Sequence, residues 1–295
     1  MRVESTNWEG SQYPPRGWQV QALPLALDAI KAGSRHVIQA IMGAGKSLLI
    51  AEVVASVKPE ADERVVITTS SVDLVDQLTK TIGLRVGFDR VGKFYTHAKQ
   101  TRRPIIVCCD DSAVNLSKTL KAKTVLLIAD ECHKTECDTF ADAIERFDPE
   151  AAVGFTATPF RDSKKASLSH WEPATGIHAP LLYRYGPKEG LRDKVVVPWR
   201  IVPWDGPEVA LDEACVQIVQ GAKGPGIVSA ASVSDAEQFA EKLRLRGIDA
   251  QCLHYKSGRD RKSALLKQLE SGELKCLVAV NMLTEGVDLP YLMWL

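Results

Sequence analysis

Runs of apolar, often β-branched residues alternate with amphipathic stretches through the first half of the chain. The apolar runs predict five strands: Arg35–Ala40, Arg64–Thr69, Pro104–Cys109, Thr124–Ala129 and Ala152–Thr156. Between them, Ser47–Val57 and Val72–Ile82 carry apolar residues at helical spacing and are predicted to be helices. This alternation predicts an α/β fold with a mostly parallel sheet that is covered on both faces. Functional residues are then expected at the carboxyl ends of the strands.

A second series of strands and helices follows a stretch that lacks a clear period. Its strands are predicted near Val195–Val202 and at Gly226–Ala230, Ala250–His254 and Lys275–Val280, with helices at Asp235–Leu245 and Arg259–Leu269. We therefore expect a first domain at 1–165, a crossover at 166–200 and a second domain at 201–295. The aromatic residues in and near the crossover are expected to pack between the domains, with base stacking as the alternative: Trp171, Tyr183, Tyr185, Trp199 and Trp204.

Composition is that of an ordinary globular protein, with 45% hydrophobic and 25% charged residues. The seven cysteines form no CxxC pair, which indicates free thiols in a reducing compartment. No apolar run reaches the roughly 18 residues of a membrane helix, and the first residues lack a signal-peptide core. These features predict a cytoplasmic protein with no membrane partner. The 37 basic and 37 acidic residues balance, so charge does not identify a partner.

The segment Ala40–Ser47 has the features of a phosphate-binding loop. Gly43 and Gly45 allow a tight turn that, together with Ala44, wraps backbone N–H groups around phosphate. Lys46 is expected to neutralise the β- and γ-phosphates of ATP, and the Ser47 hydroxyl to ligate Mg²⁺. The alternative is a glycine-rich strand-to-helix turn that contains Lys-Ser by chance.

An acidic pair follows the apolar strand that ends at Ala129. Asp130 is expected to hold Mg²⁺, and Glu131 to polarise the attacking water. An ordinary acidic turn is one alternative. A zinc site is another, because Cys132, His133 and Cys137 cluster here, but adjacent Cys-His is poor spacing for tetrahedral zinc and a second ligand pair is absent.

With Thr156-Ala157-Thr158-Pro159, these motifs resemble those of superfamily 2 helicases and translocases, in their order, over nearly the whole chain. The resemblance implies two RecA-like domains in tandem and an ATP-dependent activity on nucleic acid. It assigns Arg16 and Gln19 to the motif that reads adenine, and Thr156 and Thr158 to motif III, which His133 couples to the nucleotide site.

The second half carries Asn281–Pro290, which resembles motif V. By that resemblance Thr284 contacts the nucleic-acid backbone, while Gly286 and Asp288 face the nucleotide. The segment Gly154–Arg161 resembles the corresponding segment in one branch of the family, that of restriction-enzyme motor subunits and of DNA-repair or phage helicases. DNA bound without sequence preference is therefore the expected partner, in a bacterial or phage-infected cell.

Contacts to the nucleic-acid backbone are expected from three serines, of which Ser70 and Ser71 stand where the family usually has Pro-Thr. Ser112 is the third, and it follows Asp110 and Asp111, whose charges would repel a phosphate backbone.

The family places arginines after motif V that reach the γ-phosphate, whereas this sequence has no arginine after Arg261. The second domain is therefore expected to be incomplete, and a second chain or a further C-terminal segment to supply the arginines. Without them, ATP is expected to be bound but hydrolysed slowly. The alternative functions are an RNA helicase or remodeller and an ATP-binding module that does not hydrolyse.

Overall fold

The computed structural model describes residues 1–4, 8–11, 13–134, 138–159, 180–196 and 211–280. They belong to two compact units, Met1–Pro198 and Trp199–Leu295. Each unit has its own sheet and its own apolar core, and each is described by itself.

The first unit is built from ten strands and six helices in its described residues. The strands are β1 (Arg2–Val3), β2 (Arg35–Ala40), β3 (Val57–Lys58), β4 (Glu63–Thr69), β5 (Val91–Tyr95), β6 (Ala98–Lys99), β7 (Ile105–Cys109), β8 (Lys123–Asp130), β9 (Ala151–Thr156) and β10 (Leu181–Tyr185). The helices are α1 (Gly17–Lys31), α2 (Lys46–Ser56), α3 (Val72–Val86), α4 (Asp110–Thr119), α5 (Asp138–Phe147) and α6 (Pro187–Arg192).

Eight of these strands form one sheet in the order β10-β2-β9-β8-β4-β7-β5-β6. Every pairing is parallel except that of β5 with β6. Strands β2 and β8 flank β9, with Gln39 opposite Thr156 and Asp130 opposite Phe155. The carboxyl ends of β2, β9 and β8 therefore lie side by side, so that the phosphate-binding loop, motif III and the acidic pair leave the same edge of the sheet.

The sheet is buried on both faces, as the near-continuous apolar strands predict. One apolar cluster joins the sheet to α1, α2 and α3 and includes Ile38 and Ile67. The other joins it to α4 and α5 and includes Val37 and Val66. Neighbouring residues of one strand thus pack into opposite clusters, which fixes the register of these strands.

The second unit contains α7 (Leu211–Gly221), β11 (Gly226–Ser229), α8 (Val233–Leu245), β12 (Ala250–Leu253), α9 (Arg259–Ser271) and β13 (Cys276–Ala279). Its strands form a parallel sheet in the order β11-β13-β12. Helix α9 ends at Gly272, which adopts the left-handed conformation of a common helix stop. The predicted α/β class with parallel sheets is confirmed in both units.

Several elements were not predicted from the sequence, namely α1, α4, α5, α6, α7 and the strands β1, β3, β5, β6 and β10. One difference concerns the residues near Val195, where a second series of strands was expected to begin. Strand β10 pairs in parallel with β2, and α6 and its following turn pack on the core of the first unit through Val195 and Val196. Those two valines therefore do not begin the second series of strands, and the remainder of Val195–Val202 lies outside the described residues.

The cysteines of the described residues are free, and five of the six are buried: Cys108, Cys109, Cys132, Cys252 and Cys276. Burial raises the pKa of the Cys276 thiol to about 12, so it behaves as an inert core residue. None of the described helices combines the length and the apolar composition that crossing a bilayer would require.

Candidate functional site

A glycine-rich loop joins β2 to α2 at the carboxyl edge of the sheet. Gly43 and Gly45 adopt φ angles of +73° and +90°, which residues with side chains rarely reach. Ala44 between them is fully buried, and α2 begins at Lys46. The loop therefore presents the amino terminus of an eleven-residue helix, where backbone N–H groups and the helix dipole favour an anion.

Side chains from the start of α1 hold three consecutive carbonyls of this loop. Arg16 Nη1 donates to Gly43 O at 2.6 Å, Trp18 Nε1 to Ala44 O at 3.0 Å, and Gln19 Nε2 to Gly45 O at 2.8 Å. We call these three side chains the loop latch. Because each carbonyl has a donor, the latch fixes the loop without using its N–H groups.

Gln19 was expected to read the adenine base. Its side-chain oxygen accepts from the backbone N–H of Arg16 at 2.7 Å, while its nitrogen is bound to Gly45. The residue is 1% exposed. In this conformation both ends of the amide are therefore engaged within the protein.

Lys46 and the acidic residues that follow β8 face one another across the site. Asp130 is the last residue of β8 and is 6% exposed. Glu131 has a φ of +55°, an unusual conformation for a residue with a side chain and one often found at functional sites. Its Oε1 lies 3.3 Å from Lys46 Nζ, and both side chains are mostly buried. The structure therefore brings together a cation from α2 and a carboxylate from the end of β8.

Close polar contacts connect this carboxylate to the end of β9. Glu131 Oε2 lies 3.5 Å from His133 Nδ1, which is 2.8 Å from Thr156 Oγ1. The backbone N–H of Thr158 donates to the same hydroxyl at 3.1 Å. With one proton and two lone pairs, that hydroxyl can bond to Thr158 and to His133 together. Residues that follow β8 and residues of motif III are thus in direct contact.

The zinc alternative finds no support in the described part of the chain. No group of three or more His, Cys, Asp or Glu side chains there could hold a metal ion. Cys132 is fully buried, and His133 Nδ1 is bonded to Thr156. Cys137 lies outside the described residues.

The three serines expected to contact nucleic acid lie at the carboxyl ends of neighbouring strands, β4 and β7. Ser71 caps α3, because its hydroxyl accepts from the Leu74 N–H at 3.3 Å. Ser70 directly follows β4 and Ser112 lies in the first turn of α4, both partly buried. Asp110 and Asp111, which were expected to repel a phosphate backbone, begin α4, where carboxylates stabilise the helix dipole. The motif V residues Thr284, Gly286 and Asp288 lie outside the described residues.

Sequence reasoning missed the aromatic support of the loop. Trp18 stacks on Tyr185, with ring centroids 5.3 Å apart, and on Tyr183 at 6.4 Å. The carbonyl of Tyr185 accepts from the N–H of Ile41, the first residue of the loop. These two tyrosines therefore pack within the first unit, which corrects the expectation that they pack between domains. The available signal was Trp18 itself, because a buried indole N–H requires an acceptor.

The fold and the order of these motifs define the class as superfamily 2 helicases, in the branch of restriction-enzyme motor subunits and DNA-repair helicases. The family described as type III restriction enzyme, res subunit, matches residues 12–161, just over half of the chain, and the chain belongs to it. The helicase conserved C-terminal domain matches residues 210–295.

Relatives of the chain are known in phage and archaea. A "51.5 kDa protein" of a Lactococcus phage is 24% identical over 86% of this chain and 56% of its own length. The "DNA 3'-5' translocase XPB2" of Sulfurisphaera tokodaii is 28% identical over 68% of this chain and 44% of its own length. The chain thus spans about half the length of these two relatives.

Solved structures share the fold at low identity. S. cerevisiae Dbp5 bound to RNA and ADP BeF3 matches with a TM-score of 0.66 and 19% identity, over 97% of this chain and 75% of Dbp5. Mycobacterium smegmatis helicase Lhr bound to ssDNA and AMP-PNP matches with a TM-score of 0.59 and 18% identity, over 97% of this chain and 42% of Lhr. These likenesses support the predicted fold of two RecA-like domains.

Proposed function

We propose that this chain is the ATP-dependent motor of a DNA helicase or translocase. One observation carries the proposal: Lys46, at the start of α2, lies 3.3 Å from Glu131, at the end of β8, beside a loop that presents a helix amino terminus. A cation, a carboxylate and the N–H groups of a helix amino terminus are what hydrolysis of a phosphoanhydride requires. The XPB2 relative, whose name is that of a DNA translocase, supports DNA as the partner.

The residues present fit ATP with Mg²⁺. Ser47 and Asp130 offer a hydroxyl and a carboxylate, the hard oxygen ligands that Mg²⁺ prefers, and would hold the ion. When bound, Mg²⁺ would neutralise charge on the phosphates. Lys46 would bind the β- and γ-phosphates.

Glu131 then acts as the base that accepts a proton from the attacking water. Lys46 neutralises this carboxylate, because the two side chains form an ion pair. A γ-phosphate competes for Lys46 and releases Glu131 for its role as base. His133 and Thr156 link the resulting change to motif III through their 2.8 Å hydrogen bond.

In this proposal the protein binds nucleic acid through contacts to the sugar-phosphate backbone. Ser70, Ser71 and Ser112 contact phosphates from the first unit, and Thr284 keeps the backbone contact that the family resemblance implies for it. Gly286 and Asp288 likewise keep their implied role toward the nucleotide. Contacts of this kind do not read bases, so little sequence specificity is expected.

The experiment measures ATP binding, and ATP hydrolysis with and without nucleic acid, for the wild type, Lys46→Ala and Glu131→Gln. Lys46→Ala is expected to abolish ATP binding. Glu131→Gln is expected to bind ATP but to lower the hydrolysis rate on the order of 10²–10⁴-fold, the contribution of a general base. Lys80→Ala, an exposed lysine on α3, is the matched control and should behave as the wild type. Unchanged ATP binding by Lys46→Ala would disprove the site.

The same assay separates the candidate functions. Stronger stimulation by DNA than by RNA of matched sequence supports the proposal, and the reverse result identifies an RNA helicase or remodeller. ATP binding with no turnover under either condition, even with the segment that carries the arginines after motif V supplied, identifies a binding module.

A further inference from the structure

Helix α6 lies directly on the first residue of the phosphate-binding loop. Gly190 of α6 is buried, and a β-carbon placed on it would lie 2.2 Å from Ile41 Cδ1 and 3.3 Å from Val196 Cγ2. Ile41 itself is only 8% exposed. Because any side chain at position 190 would overlap Ile41, the bare glycine backbone is what allows α6 to approach the loop so closely.

The backbone of Ile41 connects this contact to the middle of the loop. Its N–H donates to Tyr185 O on β10 at 3.1 Å, and its carbonyl accepts from the Ala44 N–H at 3.2 Å. The carbonyl of Ala44 in turn accepts from Trp18 Nε1 at 3.0 Å. A displacement of Ile41 is therefore passed on to Ala44 and to the glycine-rich turn around it.

Contacts at the end of α6 hold the helix in this position. The Tyr185 hydroxyl donates to Asp193 Oδ2, directly after the helix, at 3.1 Å. The N–H groups of Val195 and Val196 donate to the Gly190 carbonyl at 2.8 and 3.3 Å. Both valines pack against the apolar cluster that joins the sheet to α1, α2 and α3. The turn that follows α6 thus fixes Gly190 against the loop.

We propose that Gly190 is a positioning residue for ATP binding, because it sets the distance between α6 and the phosphate-binding loop. It acts through Ile41 and not by contact with the nucleotide. With α6 in place the loop keeps the shape that binds phosphate, and a displacement of α6 distorts the loop and lowers the affinity for ATP. Helix α6 is therefore a point at which the nucleotide site is regulated. This inference rests on the proposed function, because it concerns the same site.

Gly190→Ala tests the contact with the smallest side chain available. The added methyl group has to displace Ile41 and the loop with it, and ATP binding then has to restore the loop. Isothermal titration calorimetry of the 295-residue chain with ATP and Mg²⁺ should show a dissociation constant raised on the order of tenfold, within the range that overpacking of a buried contact produces. Gly221→Ala, on α7, is the matched control. A β-carbon there meets no atom within 4 Å, so this variant should bind ATP as the wild type does.

Ile41→Val provides the rescue, because it removes Cδ1, the atom that the new methyl group overlaps. The double variant of Gly190→Ala and Ile41→Val should bind ATP within about twofold of Ile41→Val alone. A general loss of stability would not be reversed by shortening Ile41. Urea unfolding of each variant without nucleotide measures that loss separately.

An unchanged dissociation constant in Gly190→Ala overturns the inference, and so does a failure of the double variant to recover. If Gly190→Ala does not fold, Tyr185→Phe takes its place, since it removes only the hydroxyl that is bonded to Asp193. Its dissociation constant for ATP should rise about threefold, the size of one neutral hydrogen bond, and an unchanged value overturns the inference.

The outcome for the wild type keeps this inference distinguishable from the proposed function. Wild-type binding of ATP that Lys46→Ala abolishes, with an unchanged dissociation constant in Gly190→Ala, overturns the inference alone. Failure of the wild type to bind ATP overturns both.

Discussion

At the residue scale, the loop latch explains how a backbone rich in glycine is held in one shape. Gly43 and Gly45 are needed because the loop requires positive φ angles at these positions, yet glycine also gives an isolated loop more conformational freedom. Arg16, Trp18 and Gln19 counter this by bonding three successive carbonyls. The Ala44 N–H adds a fourth bond, to Ile41 O at 3.2 Å. The loop is thus held in place beside the amino terminus of α2, where backbone N–H groups favour an anion.

A second residue-scale feature is His36, a buried imidazole in the middle of the sheet. It lies on β2 opposite Val153 and is 2% exposed. Neither ring nitrogen has a hydrogen-bond partner within the described residues. Burial lowers the pKa of His36 from 6.5 to about 4, because the charged form loses its hydration. The folded protein therefore keeps this ring neutral at a pH where the unfolded chain protonates it.

We expect this histidine to make stability fall with acidification below pH 6.5. Above pH 6.5 the ring is neutral in both states and adds no pH dependence. Below pH 6.5 the unfolded chain binds a proton that the folded protein excludes, so stability falls progressively as the pH approaches the folded pKa of about 4. By about pH 5 the free energy of unfolding should drop by roughly 2 kcal/mol from this residue alone.

Urea unfolding of the wild type and of His36→Leu, between about pH 7.5 and pH 5, checks this expectation. The variant replaces the ring with an apolar side chain that does not titrate, so its stability should depend less steeply on pH over this range. His97→Leu, which replaces an exposed histidine, is the matched control. Its free energy of unfolding should depend on pH as steeply as that of the wild type. Parallel curves for the wild type and His36→Leu would show that His36 is not the source.

At the element scale, the long apolar strands of the central sheet were predictable. Its short edge strands and several of the helices were not. Apolar runs such as Thr124–Ala129 are long enough to be recognised, and the structure extends that strand to Lys123–Asp130. Strand β10 has only five residues and follows a segment without periodicity, so nothing local marks it. It forms because β2 offers an open edge to pair with, which is tertiary information.

The candidate site divides in the same way. The roles of Lys46, Asp130 and Glu131 were predictable, because each residue lies a few positions after a strand that the sequence itself marks. The loop latch was not, because it depends on the start of α1 meeting the loop at the edge of the sheet. Gln19 shows the difference: its position in the motif was recognised, but its hydrogen bonds to the loop were not.

The helix that follows the phosphate-binding loop is tied to its neighbour by a buried ion pair. Glu52 of α2 is fully buried, and Arg85 of α3 donates to it from Nε at 2.7 Å and from Nη2 at 3.1 Å. We expect Arg85→Met to destabilise the protein by about 3–5 kcal/mol, because it leaves a carboxylate buried without its cation.

Denaturant unfolding at neutral pH measures this loss. The double variant Glu52→Leu with Arg85→Met should recover most of it, since no charge remains buried. Lys31→Met removes an exposed partner of Asp28 and should cost no more than about 1 kcal/mol. A loss for Arg85→Met as small as that for Lys31→Met would mean that the pair contributes little.

At the scale of the whole molecule, the described contacts that shape the phosphate-binding loop come from the first unit. Among the described residues, its two apolar clusters draw on residues up to Val196, and so do the loop latch, β8 and β10. The second unit has clusters of its own on the two faces of its three-stranded sheet. Because each unit has apolar clusters of its own, we expect each to fold by itself.

A fragment of residues 1–198 is therefore expected to fold alone and to bind ATP. It should unfold in a single cooperative transition by circular dichroism, because its sheet is covered on both faces. Its ATP binding should disappear with Lys46→Ala in the same fragment, which serves as the control. Nucleic acid should not stimulate ATP hydrolysis by the fragment, since the motif V residues assigned to both ligands lie beyond it. A fragment that lacks a cooperative transition would show that the second unit stabilises the first, and stimulated hydrolysis would show that the motif V residues are not needed for turnover.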